Sequence, residues 1–174
     1  MERNGKTYHV ALRYPKMSDT KHLHAHINSL IDEDAMILVS EKQSLKHEGA
    51  WLKELLGKSK KGKIIVVVTE VNGVVAGLAE LRLHVGRKSH VATFGISVGN
   101  KYRRMGLSTR VFALLERLAK KNGVRIIDSS YWLGNKPSQE LHKKLGFRIA
   151  GKFPGTGRFA NSYRSEIIVY KRLK

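Results

Sequence analysis

The chain has 174 residues, a formal net charge of +19, 41% hydrophobic residues and no cysteine. This length is sufficient for one domain with a sizeable core, and the absence of cysteine excludes disulfides, thiolate metal sites and a cysteine nucleophile. The longest apolar run, Ile64 to Val68, is too short to cross a membrane. The polar start, Met1 to Lys6, lacks the apolar core of a signal peptide. We therefore expect one cytoplasmic domain over residues 1–174 with no membrane association.

The excess of positive charge allows two interpretations. Lys and Arg outnumber Asp and Glu by 33 to 14. The excess can reflect a solvated basic surface, or it can serve an anionic partner such as nucleic acid, the ribosome, an acidic peptide or a phosphorylated cofactor. Net charge alone does not tell whether the charges cluster, so both interpretations stay open.

The first third of the chain predicts one strand and two helices. Tyr8 to Arg13 alternates between apolar and polar residues, as a strand does. Ser18 or Asp19 is expected to cap a helix that runs to about Ile31. Ser44 is expected to cap a second helix that ends near Gly57.

The middle of the chain predicts three consecutive antiparallel strands. Ile64 to Val71 and Val74 to Leu83 are joined by Asn72-Gly73, the strongest short hairpin signal. A turn at Gly86 and Arg87 then leads into a third strand, His90 to Val98.

The last part of the chain predicts two helices and three strands. Leucines and valine recur at helical spacing over Leu107 to Lys121. The remaining elements are a buried strand over Val124 to Ser129, a short helix over Asn135 to Leu145, and strands over Arg148 to Lys152 and Tyr163 to Lys171, with a glycine-rich loop over Pro154 to Asn161. Because Val124 to Ser129 follows a helix, it is expected to run parallel to its neighbour. The order predicts an α/β fold: a mixed, mostly antiparallel seven-stranded sheet with about four helices.

A basic loop between a strand and a helix carries the main chemical signal. It reads Arg103-Arg104-Met105-Gly106-Leu107-Ser108 and precedes the helix that begins at Leu107. The first turn of a helix has unpaired backbone N–H groups and a partial positive charge, so it attracts anions. Arginines add charge and forked donors. The loop therefore predicts a phosphate-binding site.

Two motifs together identify a family resemblance. Arg103, Gly106 and Ser108 fill the places of the Arg/Gln-x-x-Gly-x-Gly/Ala loop of the Gcn5-related N-acetyltransferase (GNAT) superfamily, with Ser in place of Gly or Ala. A second signature, Asn followed by Leu-Tyr-x-x-x-Gly-Phe, is matched by Asn135 and by residues 141–147, with histidine at 142 in place of tyrosine. The chain resembles this superfamily over nearly its whole length, including the opening Val10 to Asp19 and the closing strand Tyr163 to Tyr170.

The resemblance implies an acetyl-CoA-dependent N-acetyltransferase. It implies direct attack of a primary amine on the thioester in a ternary complex, and a sheet splayed beside the strand that ends at Val98. The pyrophosphate-binding residues would be Arg103, Arg104, Met105, Gly106, Leu107, Ser108 and Thr109. Ile96, Ser97 and Val98 would hold the pantetheine, with the Ile96 N–H stabilising the oxyanion. Asn135 would bind near the pantetheine or orient the helix that follows it.

The acid and the base are less directly indicated. His142 replaces the tyrosine that often serves as the acid in the family, and an imidazole N–H can donate to the leaving sulfur; it can also simply cover the helix surface. Ala92 stands where some members carry a glutamate base. Glu80 is our candidate base, because a hairpin centred on Gly86 and Arg87 would pair it near Thr93. Glu166 is the alternative.

Five aromatic or histidine side chains have weaker functional signals. His22 and His26 share a helix face and can pair on a metal, but no third ligand is evident. We therefore predict no metal site and place His22, His24 and His26 on the first helix. Tyr131 and Trp132 line the acceptor or cofactor groove in this interpretation, or simply pack.

The acceptor is left open by these motifs. A protein N-terminus, a lysine, a polyamine, an aminoglycoside and an amino acid all fit, and the positive charge favours a protein or ribonucleoprotein partner over a cationic small molecule. The alternative function is a basic nucleic-acid-binding or ribosome-associated module with a degenerate acetyltransferase fold. Both a monomer and a homodimer are compatible with the sequence.

Overall fold

The computed structural model describes residues 1–3, 5–160 and 162–174. Four α-helices are present in these residues: α1 (Thr20–Asp32), α2 (Leu45–Lys60), α3 (Leu107–Lys121) and α4 (Lys136–Lys144). The strands are β1 (Glu2–Arg3), β2 (Lys6–Thr7), β3 (Val10–Arg13), β4 (Ile64–Val71), β5 (Val74–Leu83), β6 (Val91–Val98), β7 (Ile126–Trp132), β8 (Arg148–Phe159) and β9 (Ser162–Arg172).

The main sheet has seven strands in the order β3-β4-β5-β6-β7-β9-β8. All neighbours pair antiparallel except β6 and β7, which are parallel. The predicted fold class, a mixed and mostly antiparallel seven-stranded sheet with four helices, is confirmed. That residues 1–174 form a single domain stays a prediction.

Helices cover both faces of the sheet, which explains the continuous apolar run in β4. On one face, Leu52 and Leu55 of α2 pack with Val66 and Val68. On the other face, the apolar side of α3 packs against Val67 and the inward residues of β5, β6 and β7. A strand that is buried on both sides needs apolar residues at every position, whereas a half-exposed strand alternates.

Three local sequence signals are confirmed in full. Asn72 and Gly73 have φ angles of 50° and 81°, the left-handed pair that a tight hairpin turn requires. Helix α3 begins at Leu107, directly after Gly106 with φ of 72°. Ser44 caps α2, since its hydroxyl accepts a hydrogen bond from the His47 N–H at 3.1 Å.

The first two helices differ from the prediction at their ends. Asp19 is the N-cap residue of α1, one of the two expected, but its side chain makes no hydrogen bond to that helix; it accepts from the Arg13 guanidinium and the Lys16 N–H, each at 2.8 Å. Helix α2 does not end near Gly57 but continues to Lys60. The chain reverses at Gly62, whose φ is 66°, so the second glycine of this stretch supplies the left-handed turn.

The C-terminal strands are longer than predicted. Strand β8 runs through most of the predicted loop to Phe159, with a register shift between Phe153 and Gly157; Asn161, the end of that loop, lies outside the described residues. Strand β7 begins at Ile126 and continues to Trp132. Cross-strand pairing with β9 supports both extensions. The local sequence pattern does not predict this pairing, because the partner residues are distant in the chain.

The sheet opens between β6 and β7. These strands pair only from Val91 with Ile126 to Thr93 with Asp128, although both continue beyond those residues. They therefore diverge into the cleft that the resemblance implies. In the described residues, no helix has both the length and the apolarity that a membrane crossing demands.

Candidate active site

The free edge of β6 presents main-chain groups to the cleft. Val91 C=O accepts from the His84 N–H, and Gly99 N–H donates to Ala76 C=O. The main-chain N–H and C=O groups of the odd-numbered residues of β6 therefore point toward β5. The main-chain groups of the even-numbered residues must then point toward β7. In agreement, Phe94 C=O accepts from the Ser129 hydroxyl of β7 at 2.9 Å. Past this bond β7 has turned away, so the N–H and C=O of Ile96 point into the cleft.

The basic loop forms a cradle at the beginning of α3. The first hydrogen bond of this helix runs from the Arg110 N–H to Gly106 C=O at 3.2 Å. The N–H groups of residues 107–109 precede it and have no helical partner. Met105 and Leu107 are buried and anchor the loop, while a Cβ on Gly106 would meet no atom within 4 Å. The surface above Gly106 is thus open to an anionic group.

The two arginines of the loop have different positions. The Arg103 guanidinium binds Glu33 at the end of α1 and donates from Nε to Val98 C=O at 3.1 Å. It therefore ties the loop to α1 and to the end of β6. Arg104 is exposed, with φ of 61°. A direct contact of either side chain with a pyrophosphate stays a prediction.

Glu80 lies at the middle of β5 on the face covered by α1 and α2. The partner of Glu80 lies close to the expected Thr93 but two residues beyond it: Glu80 pairs with Gly95, and Thr93 pairs with Arg82. The reason is the connection over residues 84–90, in which the short helix Gly86–Lys88 moves the centre of the hairpin by one residue. Glu80 is buried, and its Oε1 accepts from the Arg82 guanidinium at 2.6 Å.

His142 lies at the vertex of the cleft, where β6 and β7 separate. It is buried, its Nδ1 lies 2.7 Å from Ser138 C=O, and its Nε2 lies 2.9 Å from the Ser129 hydroxyl. Because the same hydroxyl reaches Phe94 C=O, these groups form a continuous chain to the β6 edge. Burial lowers the pKa of His142, against a smaller opposing effect of the Ser138 hydrogen bond. The ring is therefore neutral at neutral pH.

Asn135 orients the helix that follows it. Its side-chain oxygen accepts from the Ser138 N–H at 3.1 Å, which is the N-cap bond of α4. Of the two roles that the sequence left open, this geometry serves the second. The cap also fixes Ser138, whose carbonyl holds His142.

The three histidines of α1 separate into different surroundings. His26 is buried and its Nε2 lies 2.9 Å from the Ser97 hydroxyl. Burial, with the nearby Arg103 charge, lowers the pKa of His26 to about 4. His24 lies 2.9 Å from Gln43 C=O, and His22 is exposed. In the described part of the chain, no group of three or more metal-ligating side chains could hold an ion.

A cavity of about 460 Å³ opens beside the end of β7. Trp132 forms one wall, the connection from α1 to α2 forms another, and residues 156–160 of the β8–β9 hairpin complete it. Trp132 fits against Gly157 so closely that a Cβ there would lie 2.6 Å from its ring. Glu166, paired with Trp132 across the strands, accepts from the Ser130 hydroxyl. Tyr131 does not line this cavity; it stacks on His142 with ring centroids 5.4 Å apart.

The sequence analysis missed two polar residues of β7. Ser129 joins His142 to Phe94, as described above. Asp128 occupies the last paired position of β6 and β7, and its Oδ1 is buried without a partner among the described residues. Neither residue belongs to a motif, and each gains its position only from the pairing of β7 with β6.

The chain is similar to known acetyltransferases. Residues 25–147 match the model of the acetyltransferase (GNAT) family. The chain is 29% identical over 93 residues to the phosphinothricin N-acetyltransferase of Streptomyces viridochromogenes. This match covers 52% of the chain and 51% of that protein, which is about half of its length. It is 24% identical over 152 residues to an L-methionine sulfoximine/L-methionine sulfone acetyltransferase of Pseudomonas paraeruginosa, over 86% of each. The protein yncA of Salmonella typhimurium, solved with its cofactor acetyl-CoA, superposes with a TM-score of 0.81 at 20% identity over 95% of this chain and 94% of that one.

Proposed function

The chain belongs to the acetyltransferase (GNAT) family, whose members transfer acetyl from acetyl-CoA to an amine, and from this premise we propose that its acceptor is the α-amine of a free amino acid or a closely similar small molecule. The degenerate, non-enzymatic alternative is not favoured, because the cofactor loop and the cleft are both intact. The observation that carries the proposal is the cavity beside Trp132.

The size and charge of this cavity suit a small zwitterion. A volume of about 460 Å³ lies within the range of small-molecule pockets. Arg158 is the one basic side chain and Asp34 the one acidic side chain among its described lining residues. A guanidinium can bind a carboxylate with two parallel hydrogen bonds. The amino-acid-like acceptors in the names of the two curated relatives described above add support.

The donor fits the cradle and the cleft on two grounds. The pyrophosphate would be held by the N–H groups of Leu107, Ser108 and Thr109, with Arg104 adding charge, because Gly106 leaves the approach open. The pantetheine amides would pair with the Ile96 C=O and the Val98 N–H. Arg103 would act as a positioning residue through Glu33.

Ser97 and Met105, which the resemblance also assigned to the cofactor, would act indirectly. The main chain of Ser97 belongs to the β5 ladder and its hydroxyl meets His26, so we assign it to the shape of β6. Met105 is buried and holds the loop in place.

Acetyl-CoA supplies an activated acetyl thioester, and the residues around it would handle charge and protons. The Ile96 N–H would donate to the carbonyl oxygen as the amine nitrogen forms its bond to the acetyl carbon. Glu80 would take the proton that the nitrogen loses. As the carbon–sulfur bond breaks, the thiolate would regain a proton. The neutral His142 ring holds its one proton on Nδ1 against Ser138 C=O, so it would pass a proton through the Ser129 hydroxyl only after Nε2 has taken one up from solvent.

An acceptor panel followed by thiol release tests the proposal. Free amino acids, their methyl esters and short peptides with free N-termini would be compared with polyamines and Nα-blocked lysine at saturating acetyl-CoA. We expect turnover with free amino acids, and a marked loss with the methyl esters, which retain the amine but lack the carboxylate. Faster turnover with peptides or polyamines than with any free amino acid would contradict the proposal.

The variant Arg158→Gln sharpens this test. If Arg158 binds the carboxylate, the variant raises KM for the amino acid and leaves the weak turnover of its methyl ester unchanged. Arg148→Gln, on the same strand but outside the cavity, is the matched control.

A further inference from the structure

Four segments meet at the end of the sheet opposite the opening of the cleft. They are residues 58–63 between α2 and β4, 84–90 between β5 and β6, 117–125 from α3 into β7, and 143–148 from α4 into β8. Main-chain bonds hold them together: the Leu83 N–H at the end of β5 donates to Lys63 C=O at 2.9 Å, and the Arg125 N–H donates to His90 C=O at 2.8 Å. We call these four segments the basal surface.

The basal surface carries a concentrated positive charge. Its segments contain thirteen Lys and Arg residues and no Asp or Glu, and all thirteen side chains are exposed. Only Lys58 and Lys120 of these thirteen form ion pairs in the described residues, with Glu54 and Glu116. The excess of +19 is therefore not uniformly distributed, which the sequence alone could not show.

Helix ends explain part of this pattern but not all of it. Six of the lysines lie in the last turns of α2, α3 and α4, where a cation is stabilised by the helix dipole. The other seven stand elsewhere, including Arg87 and Lys88 in the β5–β6 connection and Arg148 at the start of β8. Unpaired like charges repel, so the fold gains nothing from collecting them at one end.

We propose that the basal surface binds the phosphate backbone of a duplex nucleic acid. Its cations are mostly lysine, which contacts phosphate as a point charge without demanding one geometry. The segments place no exposed Phe, Tyr or Trp at the surface, since Phe147 is buried, and single-strand binding relies on stacking aromatics. Among exposed large hydrophobic residues only Val85 lies there, whereas a protein interface needs an apolar centre.

The position of this surface leaves the active site free. Strand β6 has eight residues, so at about 3.3 Å each its basal end lies roughly 25 Å from the cradle end. A duplex on the basal surface and acetyl-CoA in the cradle would occupy opposite ends of the molecule. The duplex and acetyl-CoA should therefore bind at the same time. Simultaneous binding distinguishes the basal surface from the cofactor site.

Fluorescence anisotropy with labelled duplexes tests the proposal. Mixed-sequence RNA and DNA duplexes of about 20 base pairs would be titrated with the full chain over about 50 to 300 mM salt. The basal triple variant is Lys61→Glu, Arg87→Glu and Lys88→Glu; the matched control is Lys6→Glu, Lys21→Glu and Lys46→Glu, exposed lysines outside the four segments. Each triple lowers the net charge from +19 to +13.

The expected result is salt-dependent duplex binding that the basal triple weakens far more than the control triple. Loss of three phosphate contacts should flatten the slope of log K against log salt by about 2 to 3, and saturating acetyl-CoA should not displace the duplex. Acetyl transfer should persist in both triples, which shows that they fold. Equal weakening by both triples, stronger binding of a single strand or of polyglutamate than of either duplex, or displacement by acetyl-CoA would overturn the proposal.

Discussion

Glu80 stands directly opposite Gly95 in the β5–β6 ladder, and its carboxylate lies against the Cα of that glycine. A Cβ on Gly95 would lie 3.6 Å from Cγ and 3.8 Å from Oε1 of Glu80. Gly95 is also the residue before Ile96, whose N–H faces the cleft. The carboxylate therefore lies over the main chain that we propose as the oxyanion site.

Replacing this carboxylate tests its role as the base. We expect Glu80→Gln to lower kcat by about 10²- to 10⁴-fold, the usual contribution of a positioned base, with the Kd for acetyl-CoA unchanged. The amide keeps the shape and can still accept from Arg82, so folding should survive. Stopped-flow thiol release and calorimetry measure the two quantities.

Two further variants decide between candidate carboxylates. Glu140→Gln, exposed on α4, is the control for removal of a charge. Asp128→Asn removes the charge of the half-buried carboxylate at the cleft vertex, whose Oδ1 is buried. If Asp128→Asn lowered kcat while Glu80→Gln left kcat unchanged, Asp128 would be assigned as the base instead of Glu80.

Gly106 provides a test of the cofactor cradle. Gly106→Ala keeps the neighbours undisturbed, because no atom lies within 4 Å of the added Cβ, but it places a methyl on the open surface of a left-handed residue. We expect a stability loss of about 1–2 kcal/mol from the backbone strain and a rise of about tenfold or more in the Kd for acetyl-CoA.

Gly123→Ala is the matched control for that variant. Gly123 has φ of 75°, also with no atom within 4 Å of an added Cβ, and lies beyond the other end of α3. It should lose a similar amount of stability in denaturant melts and bind acetyl-CoA normally. Equal affinity of the two variants would count against the cradle.

Local sequence patterns predicted most of the helices, strands and turns, because these elements depend on interactions between residues that are close in the chain. The Asn72-Gly73 turn and the start of α3 at Leu107 depend on residues next to each other in the chain, and both were predicted correctly. The exact partner of Glu80 was two residues from the expected Thr93, because hairpin register depends on how residues 84–90 fold, and a one-residue shift of the centre moves every partner by two. The length of β8 likewise depends on β9.

The candidate site was predictable where a motif names it and not elsewhere. The spacing of Arg103, Gly106 and Ser108 indicated the cradle, yet the Arg103 guanidinium binds Glu33, seventy positions away in sequence. Ser129 carries no motif and gains its position only from the parallel pairing of β6 with β7. Side-chain partners of this kind depend on tertiary packing, which periodicity does not encode.

Gly157 links the β8–β9 hairpin to the proposed acceptor cavity. Gly157→Ala would place a Cβ within 2.6 to 2.9 Å of three atoms of the Trp132 ring, so the ring must move. We expect KM for the amino acid to rise about tenfold while the Kd for acetyl-CoA stays unchanged, at a stability cost of about 1–3 kcal/mol. Gly151→Ala, on the same strand with no atom within 4 Å of the added Cβ, should change neither constant. Parallel effects of the two variants on KM would show that Trp132 does not shape the acceptor site.

His26 should make the stability of the chain sensitive to acid. Its folded pKa is lowered to about 4 from the ordinary value of 6.5, chiefly by burial and then by the Arg103 charge, with Glu33 opposing. Between these two values the unfolded chain binds a proton that the folded chain does not, so the free energy of unfolding falls as the pH falls. This difference in pKa corresponds to a decrease of about 3 kcal/mol in the free energy of unfolding between pH 6.5 and 4. The buried His142, whose pKa is also lowered, adds a loss of the same sign.

Urea melts of two histidine variants isolate the His26 contribution. His26→Gln keeps a hydrogen-bonding group near the Ser97 hydroxyl but has no proton to gain, so its unfolding free energy should depend less on pH below 6.5 than that of the parent chain. At neutral pH the variant should be the less stable of the two, and the difference should shrink toward pH 4. His22→Gln, at an exposed position of the same helix, should follow the parent at every pH. A parent and a His26→Gln variant that lost stability in parallel would mean that the ring is solvated and titrates alike in the folded and unfolded chain.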